Sequence, residues 1–306
     1  MANISLQTVE ERINKFGKLW MIDDLIRERG RDVEQVPILG YPRHENSATE
    51  YEHFTGKDLD LALFAPSDLS FVITFFALFR LGCKVLTLSI RLNSSACLHL
   101  LHQAGCDTML DGTTAHIDSV MIEVRDARQD LKFIEMLARA GFDKPQRSPE
   151  SFWRDIPNRE EEHVQVSLMA HSSGSTGLPK LLSVSHRSLL ASMVSGTGLK
   201  AFNHLPWYHL HGLITSIQAM WMRKTAHLFS AHLPLTADNL ISALKSIQPE
   251  ICHTVPYALK LMAERQDGID VLKRCKFVTS AGARTPDELG NRVIEQGVKL
   301  GLPGSR

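Results

Sequence analysis

Three features of the sequence predict an α/β fold. Short apolar runs of strand type alternate with helical segments. Gly, Pro, Ser and Thr stand at the joints between them. The 306 residues, 43% hydrophobic and 22% charged, suffice to bury a sizeable core.

Residues 1 to 60 are polar and mixed, with a helix expected over Met21–Arg29. "LALFAPSD" gives a short buried strand, Leu61–Ala65, stopped by Pro66. Ser67 is placed to cap the helix running through Leu81, and Gly82 to end it. "KVLTLS", Lys84–Ser89, is the next strand, and Ser94–Ala104 the next helix, closed by Gly105. This order implies a parallel sheet. "ARQDLKFIEMLARAGF" reads as helical and "DKPQRSPESFWRDIPNREEE" as a proline-rich charged connector with a solvated face. A boundary near Glu162 divides the chain into α/β units 1–162 and 163–306.

In the second unit, Val164, Val166 and Leu168 alternate with polar neighbours, which predicts a strand over His163–Ala170. A second strand, Leu181–Val184, precedes a helix capped by Ser185 that ends near Gly196. Thr236 caps a helix that stops before Pro249. "ICHTV" is a strand, then Pro256 opens a helix through Glu264. "KFVTSAG" is a strand ending at Gly282. Thr285-Pro286-Asp287-Glu288 reads as a capping box with proline at the first helical position, its helix ending at Gly297.

Lys plus Arg equals Asp plus Glu at 34 each, so no overall basicity points to nucleic acid or an anionic membrane. The five cysteines are an odd number with no C-x-x-C, which disfavours a disulfide framework or zinc knuckle and fits a reducing compartment. No secretory h-region opens the chain, and the apolar run Phe71–Leu81 is too short to span a bilayer. A cytoplasmic protein is expected.

Between the strands of the second unit lies "HSSGSTGLPK". Gly174 and Gly177 allow positive φ and close backbone approach, so turned N–H groups can face an anion. Ser172, Ser173, Ser175 and Thr176 supply hydroxyls, and Lys180, held by Pro179, supplies a charge. Such a set suits a polyphosphate. The lysine stands behind a proline with a strand following, so this is not a Walker A loop. G-x-S-x-G is absent, which argues against Ser172 or Ser173 as a hydrolase nucleophile. On a strand, His209 and His211 would face one way. No Cys, Asp or Glu nearby completes a metal set, so no metal site is assigned.

Ser172–Lys180 resembles, throughout its nine residues, the phosphate-loop signature of the adenylate-forming superfamily of acyl-CoA synthetases, luciferases and peptide-synthetase adenylation domains. "LPWYHLHG" (205–212), "HTVPYALKLM" (253–262) and "FVTSAGARTPDEL" (277–289) are similar to further segments of that family in order and spacing. "APSDLSFVITFFALFRLG" and "HSSGSTGLPK…SHRSLL" look closest to fungal peptide-synthetase-like adenylation domains. The resemblance implies the family's N-terminal core, stacked sheet-and-helix subdomains, and ATP-dependent activation of a carboxylic acid as acyl-AMP. ATP with Mg²⁺ would be the cofactor. A carrier-protein thiol or CoA would receive the acyl group. Ser172, Ser173, Thr176 and Lys180, with Gly174, Ser175 and Gly177, would hold the β- and γ-phosphates. Gly282 and Ala283 would pack on adenine, and His209, with Trp207 and Tyr208, would border the carboxylate. Lys180, Thr176 and His209 are the catalytic candidates.

The chain departs from the family pattern twice. After Gly297 it reads "VKLGLPGSR", where the family carries a Mg²⁺-binding glutamate and, further on, a ribose-binding aspartate and a small domain with a catalytic lysine. "FTGKDLDLALFAPSD" also passes into a strand sooner than the family does. Both read as lost segments, so the isolated chain is expected to show no measurable adenylation and low solubility. A non-catalytic nucleotide-binding remnant and a module-pairing protein are the alternatives.

Overall fold

The computed structural model describes residues 5–44, 46–54, 67–112, 115–136, 156, 158–172 and 177–301. α1 (Leu6–Phe16) starts where the Ser5 hydroxyl accepts the Thr8 N–H, and α2 (Asp24–Arg31) begins three residues later than the expected helix. A hairpin of β1 (Leu39–Pro42) and β2 (Tyr51–Phe54) follows. The expected strand Leu61–Ala65 lies outside the described residues.

α3 (Leu69–Arg80) is buried along most of its surface, as its run of Phe, Val, Ile and Leu requires. Its cap is Asp68, whose carboxylate accepts the Phe71 N–H at 2.9 Å, not Ser67. Ser67 Oγ instead accepts the Trp207 N–H at 2.8 Å. β3 (Val85–Leu86) is shorter than predicted, because the chain turns at Ser89 toward α4 (Ser94–Ala104). α4 ends at Gly105, as expected, with φ at 63°.

β4 (Thr108–Asp111) leads through α5 (Ala115–Ala127) to β5 (Lys132–Glu135), which pairs with β4 in parallel. The helix predicted across this stretch is therefore corrected, and its remainder from 137 lies outside the described residues. Buried Leu131 and half-buried Phe133 alternate with exposed Lys132, a period of two that suits a strand edge. α6 (Arg159–Val164) is a short helix within the charged connector. Its Glu160 and Glu161 are exposed, and the Asn158 side chain caps it.

β6 (Val166–His171) and β7 (Leu181–Ser185) form an antiparallel hairpin, and Ser185 caps α7 (His186–Met193) as predicted. Then come β8 (Ala201–Asn203), α8 (Leu210–Trp221), β9 (Ala226–Leu228), and α9 (Ala237–Ile247), the last capped by Thr236. β10 (Ile251–Thr254) leads to α10 (Pro256–Ala263) and α11 (Gln266–Arg274). β11 (Phe277–Ser280), α12 (Asp287–Glu295) and β12 (Leu300–Gly301) complete the described chain. The capping box is corrected: Pro286 occupies the cap position, and the Thr285 hydroxyl pairs with Ser280 Oγ at 2.8 Å. Asp287 does sit in the first turn, near the positive helix end.

Among the described residues the sheets are a seven-stranded one in the order β12-β11-β10-β8-β9-β1-β2, a three-stranded one (β3-β6-β7) and a pair (β4-β5). The large sheet is parallel except at β1–β2, and its strands come from both sides of residue 162. One apolar core joins α2, α3 and α8 around Phe71, Phe75 and Trp207. A second lies among α9–α12, and a third under α4 and α5. No described helix is long and apolar enough to cross a membrane.

A partly buried ionic knot ties the N-terminal helices to α8. Arg29 donates to Trp221 O at 2.8 Å and Phe16 O at 2.6 Å, while Arg223 grips Asp32 through two bonds of 2.7 and 2.8 Å. Those bonds with Arg223 are the main cause holding the Asp32 carboxyl below its ordinary range. Asp32→Asn leaves two guanidinium groups without their shared anion. It should cost about 2 kcal/mol at pH 7, read as a lower urea midpoint at unchanged slope.

Candidate functional site

The loop "HSSGSTGLPK" leaves β6 and returns into β7, so it is the turn of a hairpin. Two bonds close its base: Ser172 N–H to Lys180 O at 3.0 Å, and Lys180 N–H to Ser172 Oγ at 3.3 Å. Gly177 has φ at 147°, a conformation that a Cβ would strain although open space surrounds it. Pro179 is buried and Lys180 exposed, so the lysine is anchored at its backbone and its ammonium reaches solvent. The candidates Ser173, Gly174, Ser175 and Thr176 lie outside the described residues.

At the root of the loop stands His171, the last residue of β6. Its Nε2 accepts the Ser89 N–H at 3.1 Å, which places the ring proton on Nδ1, 3.4 Å from Ser172 O. Burial lowers its pKa, against the bond to Ser172, so the ring is neutral. The turn that ends β3 is thereby bolted to the start of the loop.

His209 faces this root, its ring centroid 6.4 Å from that of His171 and 4.9 Å from Tyr208. It lies at the N-cap of α8, not on a strand, which corrects the expected side-by-side placement with His211. Asn203 at the end of β8 explains the turn. Its amide donates to Gly212 O and Thr215 Oγ1, each at 2.8 Å, and its Oδ1 accepts the Leu205 N–H at 2.8 Å. Gly212 is required there, because a Cβ would lie 2.6 Å from the carbonyl oxygens of Leu205 and Pro206. His209 is exposed, yet desolvation first, and then His171 and Arg91, lower its pKa. Tyr208 is buried, and burial raises its phenol pKa against the nearby Arg91 charge and a bond to Ser89. Trp207 is 1% exposed and belongs to the core, so it can support a pocket but not border one.

From His209 a set of imidazoles runs along the C-terminal ends of the parallel strands. His211 meets His253 edge-on at 6.0 Å. His253 Nδ1 pairs with Thr279 Oγ1 at 2.8 Å, and His204 Nε2 with Thr254 Oγ1 at 3.0 Å. Burial is the leading cause that lowers the pKa of each, to about 4 for His204 and about 3 for His253. The Gly282–Ala283 bend is exposed and tied to the end of β10 by Ala281 N–H to Thr254 O at 3.1 Å. In open α/β sheets this edge is where ligands bind. The sequence reading gave no role to His171, Asn203 or His253. The signal available was the position of each at or next to the last residue of a strand.

A family model described as "AMP-binding enzyme" matches residues 55–301. The adenylate-forming reductase stbB of Stachybotrys bisbyi is 28% identical over 261 residues, 80% of this chain and 24% of that protein. The chain spans about a quarter of the length of the curated relatives it matches over most of its own. The N-terminal domain of FACL13 from Mycobacterium tuberculosis, solved with an inhibitor, superposes at TM-score 0.75 and 17% identity over 94% of this chain and 76% of that one. The anthranilate CoA ligase AuaEII in complex with anthranoyl-AMP does so at TM-score 0.69 and 16% identity, over 92% and 60%. At such identities these structures establish the fold.

Proposed function

Because the chain belongs to the AMP-binding enzyme family, we propose that it forms the nucleotide- and acid-binding core of an enzyme that joins a carboxylic acid to AMP. The observation that carries this reading is the hairpin loop closed by Ser172 and Lys180, whose root abuts the histidine-lined edge of the parallel sheet. In this reading a carboxylate oxygen attacks the α-phosphorus of ATP and the bond to pyrophosphate breaks. The thiol of a carrier protein or CoA then gives up its proton and attacks the acyl carbonyl, the bond to AMP breaks, and AMP leaves.

Lys180, Ser172, Ser173 and Thr176 hold the β- and γ-phosphates, and the N–H groups about Gly174, Ser175 and Gly177 line the same oxygens. Gly282 and Ala283 pack on adenine. His209, neutral and next to Tyr208, borders the acid's carboxylate without offering a competing charge. Mg²⁺, where present with ATP, would supply further charge neutralisation. Among the described residues no group of three His, Cys, Asp or Glu could hold a metal ion; the roles assigned to this chain are positioning and the charge of Lys180.

ATP titrated calorimetrically into the 306-residue polypeptide should give a saturable heat. Lys180→Ala should weaken the affinity about 10- to 100-fold, the worth of a charge-assisted bond to phosphate. An absence of ATP binding sinks the reading. An unchanged affinity in Lys180→Ala removes Lys180 from it.

A further inference from the structure

Resting on the acid-activating function just described, we infer that the acid carries a hydroxyl group, and that His211 is the residue that selects it.

The Nε2 atom of His211 is buried and has no hydrogen-bond partner among the described residues. A buried polar atom left unpaired is costly, and such atoms concentrate at ligand sites. The bonds that its described neighbours make go elsewhere. His253 has its Nδ1 engaged with Thr279, and His204 has its Nε2 engaged with Thr254. The Thr215 hydroxyl, one turn along α8, donates to the backbone carbonyl of His211, not to its ring. The imidazole is fixed in the first turn of α8, two residues beyond His209, with its ring edge-on to His253. It is more buried than His209, the residue proposed to border the carboxylate, and in this proposal the body of the acid lies against it.

Burial keeps His211 neutral, so Nε2 either donates or accepts one hydrogen bond. A hydroxyl can do either, and so matches whichever tautomer is present. An alkyl chain can do neither and would leave the buried atom unpaired. A site built to hydrogen-bond a substrate group discriminates strongly against analogues that lack it, because its own polar atom is then stranded.

The test uses non-hydrolysable acyl-sulfamoyl adenosines and the 306-residue chain, read by calorimetry and thermal shift. The probes carry 2-, 3- or 4-hydroxybenzoyl, benzoyl or octanoyl groups. At least one hydroxybenzoyl probe should bind about 10-fold or more tightly than benzoyl, and octanoyl should be weakest. In His211→Phe, which keeps a ring but removes the nitrogens, that advantage should collapse while benzoyl binding holds or improves. His211→Gln, which keeps a polar atom at the ε position, should retain part of it and serves if the Phe variant does not fold. Equal binding of hydroxylated and plain probes overturns the inference and leaves the nucleotide site intact. So does a preference that survives in His211→Phe. If no probe binds at all, the acid-activating function falls and this inference with it.

Discussion

Lowering the pH from 7.5 to 5.5 should remove roughly 3 kcal/mol of folding stability: buried histidines cost about 4, and Asp23, whose carboxyl is pushed up to about 6 by burial, offsets about 1 as it takes up a proton. Three buried histidines carry the effect. His204, His227 and His253 are 8%, 3% and 6% exposed, and burial first of all lowers their pKa values to about 4, 3 and 3 from an ordinary 6.5. Neighbouring histidines add to the fall in each. The folded state thus binds fewer protons than the unfolded chain at every pH between those values, so stability rises with pH across that range and is lost as pH drops below 6.5. Each such group costs about 1.4 kcal/mol per pH unit there. Their bonds show why protonation is resisted. His227 donates from Nδ1 to Ala201 O at 3.2 Å, so its Nε2, 3.1 Å from His53 Nε2, must accept and needs a lone pair. With total stabilities of 5–15 kcal/mol common for domains, such a loss should lower the melting temperature by many degrees. Melting curves at pH 7.5, 6.5 and 5.5 check this, and a melting temperature flat across that series contradicts it.

Trp207→Ala should cost about 3–5 kcal/mol, the range for truncating a large buried aromatic. The indole is packed edge-on against Phe75 at 5.6 Å and Phe76 at 5.9 Å, joining α3 to the turn ahead of α8. Its Nε1–H donates to Ser216 Oγ at 3.2 Å, and its backbone N–H reaches Ser67. Truncation opens a void and frees the segment that sets Tyr208 and His209. Trp207→Phe keeps most of the apolar contact and loses the indole bond, so a smaller loss of about 1–2 kcal/mol is expected. Urea unfolding of the three proteins decides it. Equal stability of wild type and Trp207→Ala would mean that α3 and the 205–209 turn are not held through this ring.

Local signals in the sequence were legible where short-range chemistry decides the outcome. Ser185 and Thr236 cap their helices through their own hydroxyls, and Gly105 and Gly297 end theirs at positive φ. They failed where a distant partner competes. The Thr285 hydroxyl is taken by Ser280, and Ser67 is taken by Trp207, so neither acts as a cap. The strand at Lys132–Glu135 was masked by helix-forming residues, because pairing with β4 outweighs their local preference. At the site, the hairpin setting of the loop could be read from the two flanking apolar runs. The meeting of His171 with His209, and of His211 with His253, could not. Each pair joins residues brought together only by the sheet, and no spacing along the chain encodes that.

The pairing of β1 with β9 joins Leu39 to Ala226, residues separated by most of the chain. On a ribosome adding 5–20 residues per second, the N-terminal hairpin waits on the order of ten seconds or more for its neighbour to emerge. Throughout that delay one edge of β1 has open backbone groups and a strong tendency to pair with any other exposed strand. Yield in a cell should therefore depend on translation speed and on chaperones that shield nascent chains, and in-vitro refolding should slow and lose material as protein concentration rises.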